Sequence, residues 1–157
     1  MTDPTIVFVC WGNICRSPMA EIVARAYAER DEVTGVAFAS AGVSAEEEGN
    51  PIDPRAVAAL QRAGYEATDH RARRIAADEA KDASLLIGME QIHLDRMRQL
   101  VPGLDDLYLL NDFNPDADPG EEMADPWYGP DEAFDDTLKA IEAAMPEIIK
   151  RARELGE

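Results

Sequence analysis

The apolar positions change period along the chain, and each change marks an element. TIVFV (5–9) is a short run of apolar, largely β-branched residues, the pattern of a strand buried on both faces. After a loop at 10–16, SPMAEIVARAYAERDE (17–32) takes the helical period, with Met19, Ile22, Val23, Ala26 and Tyr27 on its inward stripe. Ser17 is expected to cap this helix and Pro18 to occupy its first position. VAFAS (36–40) predicts a second strand. DPRAVAALQRAGY (53–65) predicts a helix capped by Asp53, opened by Pro54 and stopped at Gly64. ASLLIGM (83–89) predicts a third strand, followed by an amphipathic helix that carries Ile92, Met97 and Leu100 and ends near residues 101–103. His93 is expected at a surface or half-buried position of that helix. LYLL (107–110) predicts a short fourth strand. Residues 111–130 show neither period. A last helix runs from near Asp131 toward Leu155, with Phe134, Leu138, Ile141, Met145, Ile148 and Ile149 inward and Pro146 kinking or interrupting it.

Strands alternating with helices through short links predict an α/β fold: one domain over residues 1–157, a four-stranded parallel sheet, and helices on both faces. In such sheets ligands sit outside the carboxyl ends of the strands. The 10–16 loop lies there, after the first strand. So does the long 111–130 segment, after the fourth, and the two are expected to face each other across one site.

Composition narrows the chemistry. With 157 residues and 46% hydrophobic content the chain suits one core. Its start resembles no signal peptide and it contains no run of membrane-spanning length, so a cytoplasmic protein is expected. The 32 acidic against 15 basic residues give a net charge of −17, which argues against nucleic acid or an anionic membrane as partner. Any anion bound here must be held by local donors. A monomer is expected.

The two cysteines, Cys10 and Cys15, stand together in VCWGNICRSP (9–18), where a disulfide, a metal site, a packed corner or an active site would each account for part of the pattern. Two cysteines make no disulfide framework, and a metal would need further ligands from a chain with two histidines. The spacing Cys-x5-Arg between a strand end and a helix start builds an anion cradle instead. Loop N–H groups converge there, and the helix N-terminus adds its free donors. Gly12 permits a positive φ and Asn13 tolerates one. Arg16 offers a planar fork matched to two phosphate oxygens. Cys10 at the base is favoured as a thiolate, with the Ser17 hydroxyl in reach to donate to it. A proton for a departing oxygen requires an acid, and Asp125 in ADPWYGP (124–130) is the candidate on the facing segment. Trp127 and Tyr128 beside it suit a flat aryl phosphate, with Trp11 as the opposite wall.

VCWGNICRSPMAE together with DPWYG closely resembles the low-molecular-weight protein-tyrosine phosphatases. SAG (40–42), GNPIDPRA (49–56), DHRARR (69–74) and LLIGME (85–90) occur in that family's order and spacing. The resemblance implies hydrolysis of phosphotyrosine in proteins through a cysteinyl-phosphate, without metal or cofactor. It implies Cys10 as nucleophile, Asp125 as acid and then base, and Arg16 with the backbone of Trp11, Gly12, Asn13, Ile14 and Cys15 on the phosphate. Asn13, Ser40 and His70 match positions that hold the loop in shape. The second loop cysteine, Cys15, matches one that pairs reversibly with the nucleophile, although a plain core thiol also fits it.

Two related activities share the scaffold. Arsenate reductases of the relay type use cysteines further along the chain, and none follows Cys15 here, which leaves a glutathione- or mycothiol-assisted arsenate reductase as the more remote alternative. Protein arginine phosphatases tend to carry Thr where this chain has Ile14. Glu46 falls about where many family members place an aromatic residue in the cleft wall, and the acids at 46–48 and 111–125 are expected to disfavour acidic phosphopeptides.

Overall fold

A computed structural model describes residues 3–67 and 69–157. Four strands form one parallel sheet: β1 (Thr5–Cys10), β2 (Ala37–Gly42), β3 (Leu85–Gly88) and β4 (Leu107–Leu109), in the order β2-β1-β3-β4. Five helices connect and cover them: α1 (Arg16–Arg30), α2 (Pro54–Arg62), α3 (Ala77–Asp82), α4 (Gln91–Leu100) and α5 (Glu132–Leu155). The α/β architecture with helices on both faces is the one the periodicity predicts.

The side-chain alternation of β1 explains the two-faced core. Ile6 and Phe8 point to one layer, where they join Met19 and Val23 of α1 and Phe134, Ile141 and Ile148 of α5. Val7 and Val9 point to the other, with Leu86, Ile75, Ala80 and, from α4, Leu94 and Met97. All four of these β1 residues are fully buried, which is why the strand shows no polar alternation.

β1 lies between β2 and β3, so the chain leaves it in one direction and later returns on its other side. Its carboxyl end is therefore the point where the connections diverge, and a crevice opens there. Residues 10–16 occupy it. Gly42, at the end of neighbouring β2, lets the loop come close: a Cβ there would stand 2.7 Å from the Trp11 carbonyl oxygen.

Several expectations are corrected. The first helix begins at Arg16, not after Ser17; Cys15 is its cap residue and caps with no side-chain bond. Ser17 lies inside the first turn because its hydroxyl is drawn to Cys10 and Asn13 of the loop. In α4, Ile92 (46% exposed) and Leu100 (37% exposed) face outward, while His93 is fully buried beside Leu94 and Met97. The helix is rotated so that His93 serves its N-terminus. Pro146 does not interrupt α5, which runs continuously past it. The proline is on the exposed side, where water can satisfy the carbonyl it leaves unpaired. α3 and two 3₁₀ turns, Leu110–Phe113 and Pro126–Tyr128, were not anticipated.

Candidate active site

The 10–17 loop is held by a network centred on Asn13. This residue is fully buried and left-handed, with φ 61°. Its Nδ2 donates to Ser17 Oγ (2.8 Å) and to Ser40 Oγ (3.0 Å). Its Oδ1 accepts from the Arg73 N–H (3.1 Å), and its carbonyl accepts from His70 Nε2 (2.8 Å). The polar groups of a buried side chain are thereby satisfied, and the strained backbone is held in place. Gly12 does not have the positive φ expected of it. A Cβ there would stand 3.1 Å from Glu47 Cγ, a close contact that a small shift of that side chain relieves.

Cys10 Sγ sits at the base of the cavity, 3.0 Å from Ser17 Oγ and 3.3 Å from the Asn13 N–H that donates to it. Ser17 Oγ is also 3.3 Å from the Ala41 carbonyl. Cys10 and Cys15 are both buried free thiols. Burial, and then the charges of Asp53 and Asp125, push the Cys15 thiol well above its ordinary value. Cys15 is therefore favoured as the protonated thiol at neutral pH.

Arg16 is 2% exposed, and each of its terminal nitrogens has a partner. One terminal nitrogen donates to the Met123 carbonyl (2.7 Å) and lies 3.4 Å from Glu90 Oε2; the other lies 3.5 Å from Asp125 Oδ2. The guanidinium is thus aimed by two groups that the sequence did not single out, Met123 and Glu90. Glu90 ends the segment after β3, and His93 organises that segment in turn. His93 Nδ1 accepts from the N–H groups of Met89 (3.2 Å) and Glu90 (3.0 Å), so the ring proton is on Nε2. Nε2 lies 3.5 Å from Glu90 Oε2 and has no hydrogen-bond partner among the described residues. Burial, and secondarily the Arg16 charge, push His93 down to about 3, so the ring is neutral.

The 111–130 segment comes back across this end of the sheet. Its Met123 N–H donates to the Met89 carbonyl (2.9 Å), and Glu122 accepts from the Gln91 N–H (2.6 Å). Asp125 Oδ1 accepts from the Trp127 N–H (3.0 Å), which caps the Pro126–Tyr128 turn and fixes the carboxylate toward Arg16. Arg55, paired with Asp53, reaches the Trp127 carbonyl at 3.4 Å. Burial alone would raise the Asp53 carboxyl; the Arg55 side chain and N–H outweigh it and hold it low.

One cavity joins the two segments. It is lined by Cys10, Trp11, Gly12, Ile14, Cys15 and Arg16 on one side and Asp125, Trp127 and Tyr128 on the other, with Glu46 and Glu47 at its mouth. Asn13, Ser17, Ser40 and His70 stand behind the loop rather than in the cavity. Every residue expected at the site is therefore in it or directly behind it. Glu46 is in the wall as expected, and its Oε2 accepts from the Trp11 indole N–H (3.0 Å).

Comparison with known proteins agrees with this geometry. The family model described as low molecular weight phosphotyrosine protein phosphatase matches residues 5–156. A low-molecular-weight protein-tyrosine-phosphatase of Streptomyces coelicolor is 36% identical over 157 residues, covering 97% of this chain and 95% of that one. The crystal structure of a protein tyrosine phosphatase from Entamoeba histolytica superposes with a TM-score of 0.89 at 26% identity, covering 96% of this chain and 97% of that one. The YwlE arginine phosphatase of Bacillus subtilis superposes with a TM-score of 0.84 at 27% identity, covering 96% and 99% of the two chains. The chain belongs to the low-molecular-weight protein-tyrosine phosphatase family, hydrolases of phosphomonoesters.

Proposed function

We propose that this enzyme hydrolyses phosphotyrosine in proteins through a cysteinyl-phosphate on Cys10. The observation that carries the reading is the convergence of Cys10, Arg16 and Asp125 in one cavity, from segments more than a hundred positions apart. The Cys10 thiolate attacks phosphorus; the S–P bond forms as the P–O bond to the tyrosine breaks. Asp125 gives its proton to the departing phenolic oxygen. Water then attacks the phosphocysteine and yields its proton to Asp125; the S–P bond breaks and inorganic phosphate leaves. Arg16 and the loop N–H groups of residues 11–16 hold the equatorial oxygens in both steps. Ser17 Oγ, 3.0 Å from the sulfur, stabilises the thiolate as attacking and as leaving group.

Trp11, Ile14, Trp127 and Tyr128 give the cavity apolar walls suited to a phenyl ring. Cys15 is assigned as a reserve thiol that closes a disulfide with Cys10 when the sulfur is oxidised. Hydrogen peroxide transfers one oxygen to the Cys10 thiolate, giving a sulfenic acid and hydroxide. The Cys15 thiol then attacks that sulfur; the S–S bond forms as the S–O bond breaks, and the Cys15 proton leaves with the hydroxyl as water. The protein is taken to act as a cytoplasmic monomer, in keeping with its charge and the absence, among the described residues, of a helix able to cross a membrane.

The structural likeness to an arginine phosphatase supplies the second reading, hydrolysis of phosphoarginine. Ile14 offers no hydroxyl, and the aromatic walls favour the aryl ester. Parallel turnover of a phosphotyrosine peptide and a phosphoarginine peptide separates them. Faster hydrolysis of phosphoarginine would replace the first reading with the second.

A further inference from the structure

Resting on the phosphotyrosine reading, we propose that Glu46 and Glu47 form a cation-accepting rim that selects phosphotyrosines flanked by lysine or arginine. The cavity carries one cation and three carboxylates in its lining: Arg16, Asp125, Glu46 and Glu47. Substrate removes two of these from the balance. Arg16, 2% exposed at the base, is taken up by the phosphate, and Asp125 enters the first step protonated. The charge left facing the rest of the peptide is that of Glu46 and Glu47.

Neither carboxylate is neutralised by a cation among the described residues. Glu46 accepts from the neutral Trp11 indole (3.0 Å), and Glu47 from the neutral Asn50 amide (2.7 Å). The nearby guanidiniums of Arg96 and Arg55 form no ion pair with either glutamate. Arg96 lies over the Trp11 ring, 4.9 Å from its centroid, and Arg55 is paired with Asp53. The bond from Trp11 occupies one oxygen of the exposed Glu46 carboxylate, and the other has no hydrogen-bond partner among the described residues.

The opposite side of the mouth points to the same ligand by different chemistry. Trp127 is 47% exposed and Tyr128 83% exposed, their rings edge to face at 5.1 Å. Exposed aromatic faces attract lysine and arginine and give nothing to a carboxylate. A peptide leaving the cavity thus passes between two carboxylates and two aromatic rings. Glu48 and the acids at 116–122 lie outside the cavity lining and are not assigned this role.

The test uses the full chain and two phosphotyrosine peptides that differ only in lysine or glutamate on either side of the phosphotyrosine. With p-nitrophenyl phosphate as a reference for chemistry, the kcat/KM ratio of lysine to glutamate peptide is expected to be roughly five- to tenfold at low salt. It should fall toward one at high salt, and also in the Glu46→Gln/Glu47→Gln variant, whose amide oxygens keep the bonds from Trp11 and Asn50. A ratio of one in the wild type, or one unchanged in the double variant, overturns the proposal. Rapid p-nitrophenyl phosphate turnover with neither peptide hydrolysed would instead remove the phosphotyrosine reading, and this inference with it.

Discussion

Residues 10–17 and residues 111–130 face the same cavity but are held in opposite ways. The first segment is buried, and its backbone is fixed through one residue: Asn13 ties it to Ser17, Ser40, His70 and Arg73. The second is long, acidic and mostly exposed. It is fastened by a few bonds from its backbone and flanks, chiefly Met123 to Met89 and to Arg16. The division suits the chemistry. A phosphate cradle must be rigid, because its stabilisation depends on donors already in place. A proton donor needs only to reach the leaving oxygen, and its segment can differ in everything except Asp125 and what aims it.

That contrast orders the expected effects of substitution. The largest loss is that of Cys10→Ser, which should lower turnover of any aryl phosphate by on the order of 10⁴ or more. Asp125→Ala should follow, with kcat/KM, which reports leaving-group departure, lowered by about 10²–10³ for phenyl phosphate and much less for p-nitrophenyl phosphate, whose oxygen leaves without a proton. Its melting temperature should hardly move, since the side chain is partly exposed and makes few bonds. An equal loss with both substrates would remove Asp125 from the acid role.

The rigid side breaks differently. Asn13→Ala deletes the side-chain bonds to Ser17, Ser40 and Arg73 in a fully buried place and leaves a Cβ at φ 61°. A destabilisation of about 2–4 kcal/mol is expected along with lost activity. Asn13→Gly loses the same bonds but not the backbone fit, and should be more stable than Asn13→Ala by about 1 kcal/mol. Denaturant titration of the pair reads the strain directly. No difference between them would show that residue 13 is not held in a left-handed conformation.

His93 links the two sides and carries a pH signature. Its ring is neutral in the fold, with its value pushed down to about 3, whereas in the unfolded chain it protonates near the ordinary 6.5. Its contribution is therefore complete above pH 6.5 and is lost as pH falls toward 3, at about 1 kcal/mol per pH unit. His93→Asn keeps an acceptor for the Glu90 N–H and removes the titration. Between pH 6 and 4 the wild type should lose stability more steeply than the variant, and parallel slopes would contradict the assignment. The smallest effect is expected at the exposed aromatics: Trp127→Ala should raise KM several-fold with kcat and melting temperature little changed.

The two segments also differ in how far they can be read from sequence. Cys10 and Arg16 are legible because reactive groups in a fixed local spacing fit a catalytic arrangement and little else. Asp125, one of many acids in its own segment, is legible only through its DPWYG context. The strands are legible because β1 is apolar on both faces. Glu90, His93 and Met123 are not, since each acts through tertiary placement: a carboxylate, a ring and a carbonyl at the ends of ordinary elements. His93 and Ser17 both mislead for one physical reason. A polar side chain near a helix start is read as surface or cap, but here each is turned inward by a buried partner, the Glu90 backbone for one and Cys10 with Asn13 for the other. Ile92 and Leu100 follow from the same rotation of α4. α3 is too short for its period to show.

The central claim is that the phosphoryl group passes through sulfur. Asp125→Ala mixed with p-nitrophenyl phosphate and quenched in the burst should accumulate phosphate on protein, because departure needs no acid there while hydrolysis lacks its base. Peptide mass mapping should place that phosphoryl group on Cys10. A burst with the label on another residue, or steady turnover with no phosphoprotein in either wild type or variant, would contradict the account.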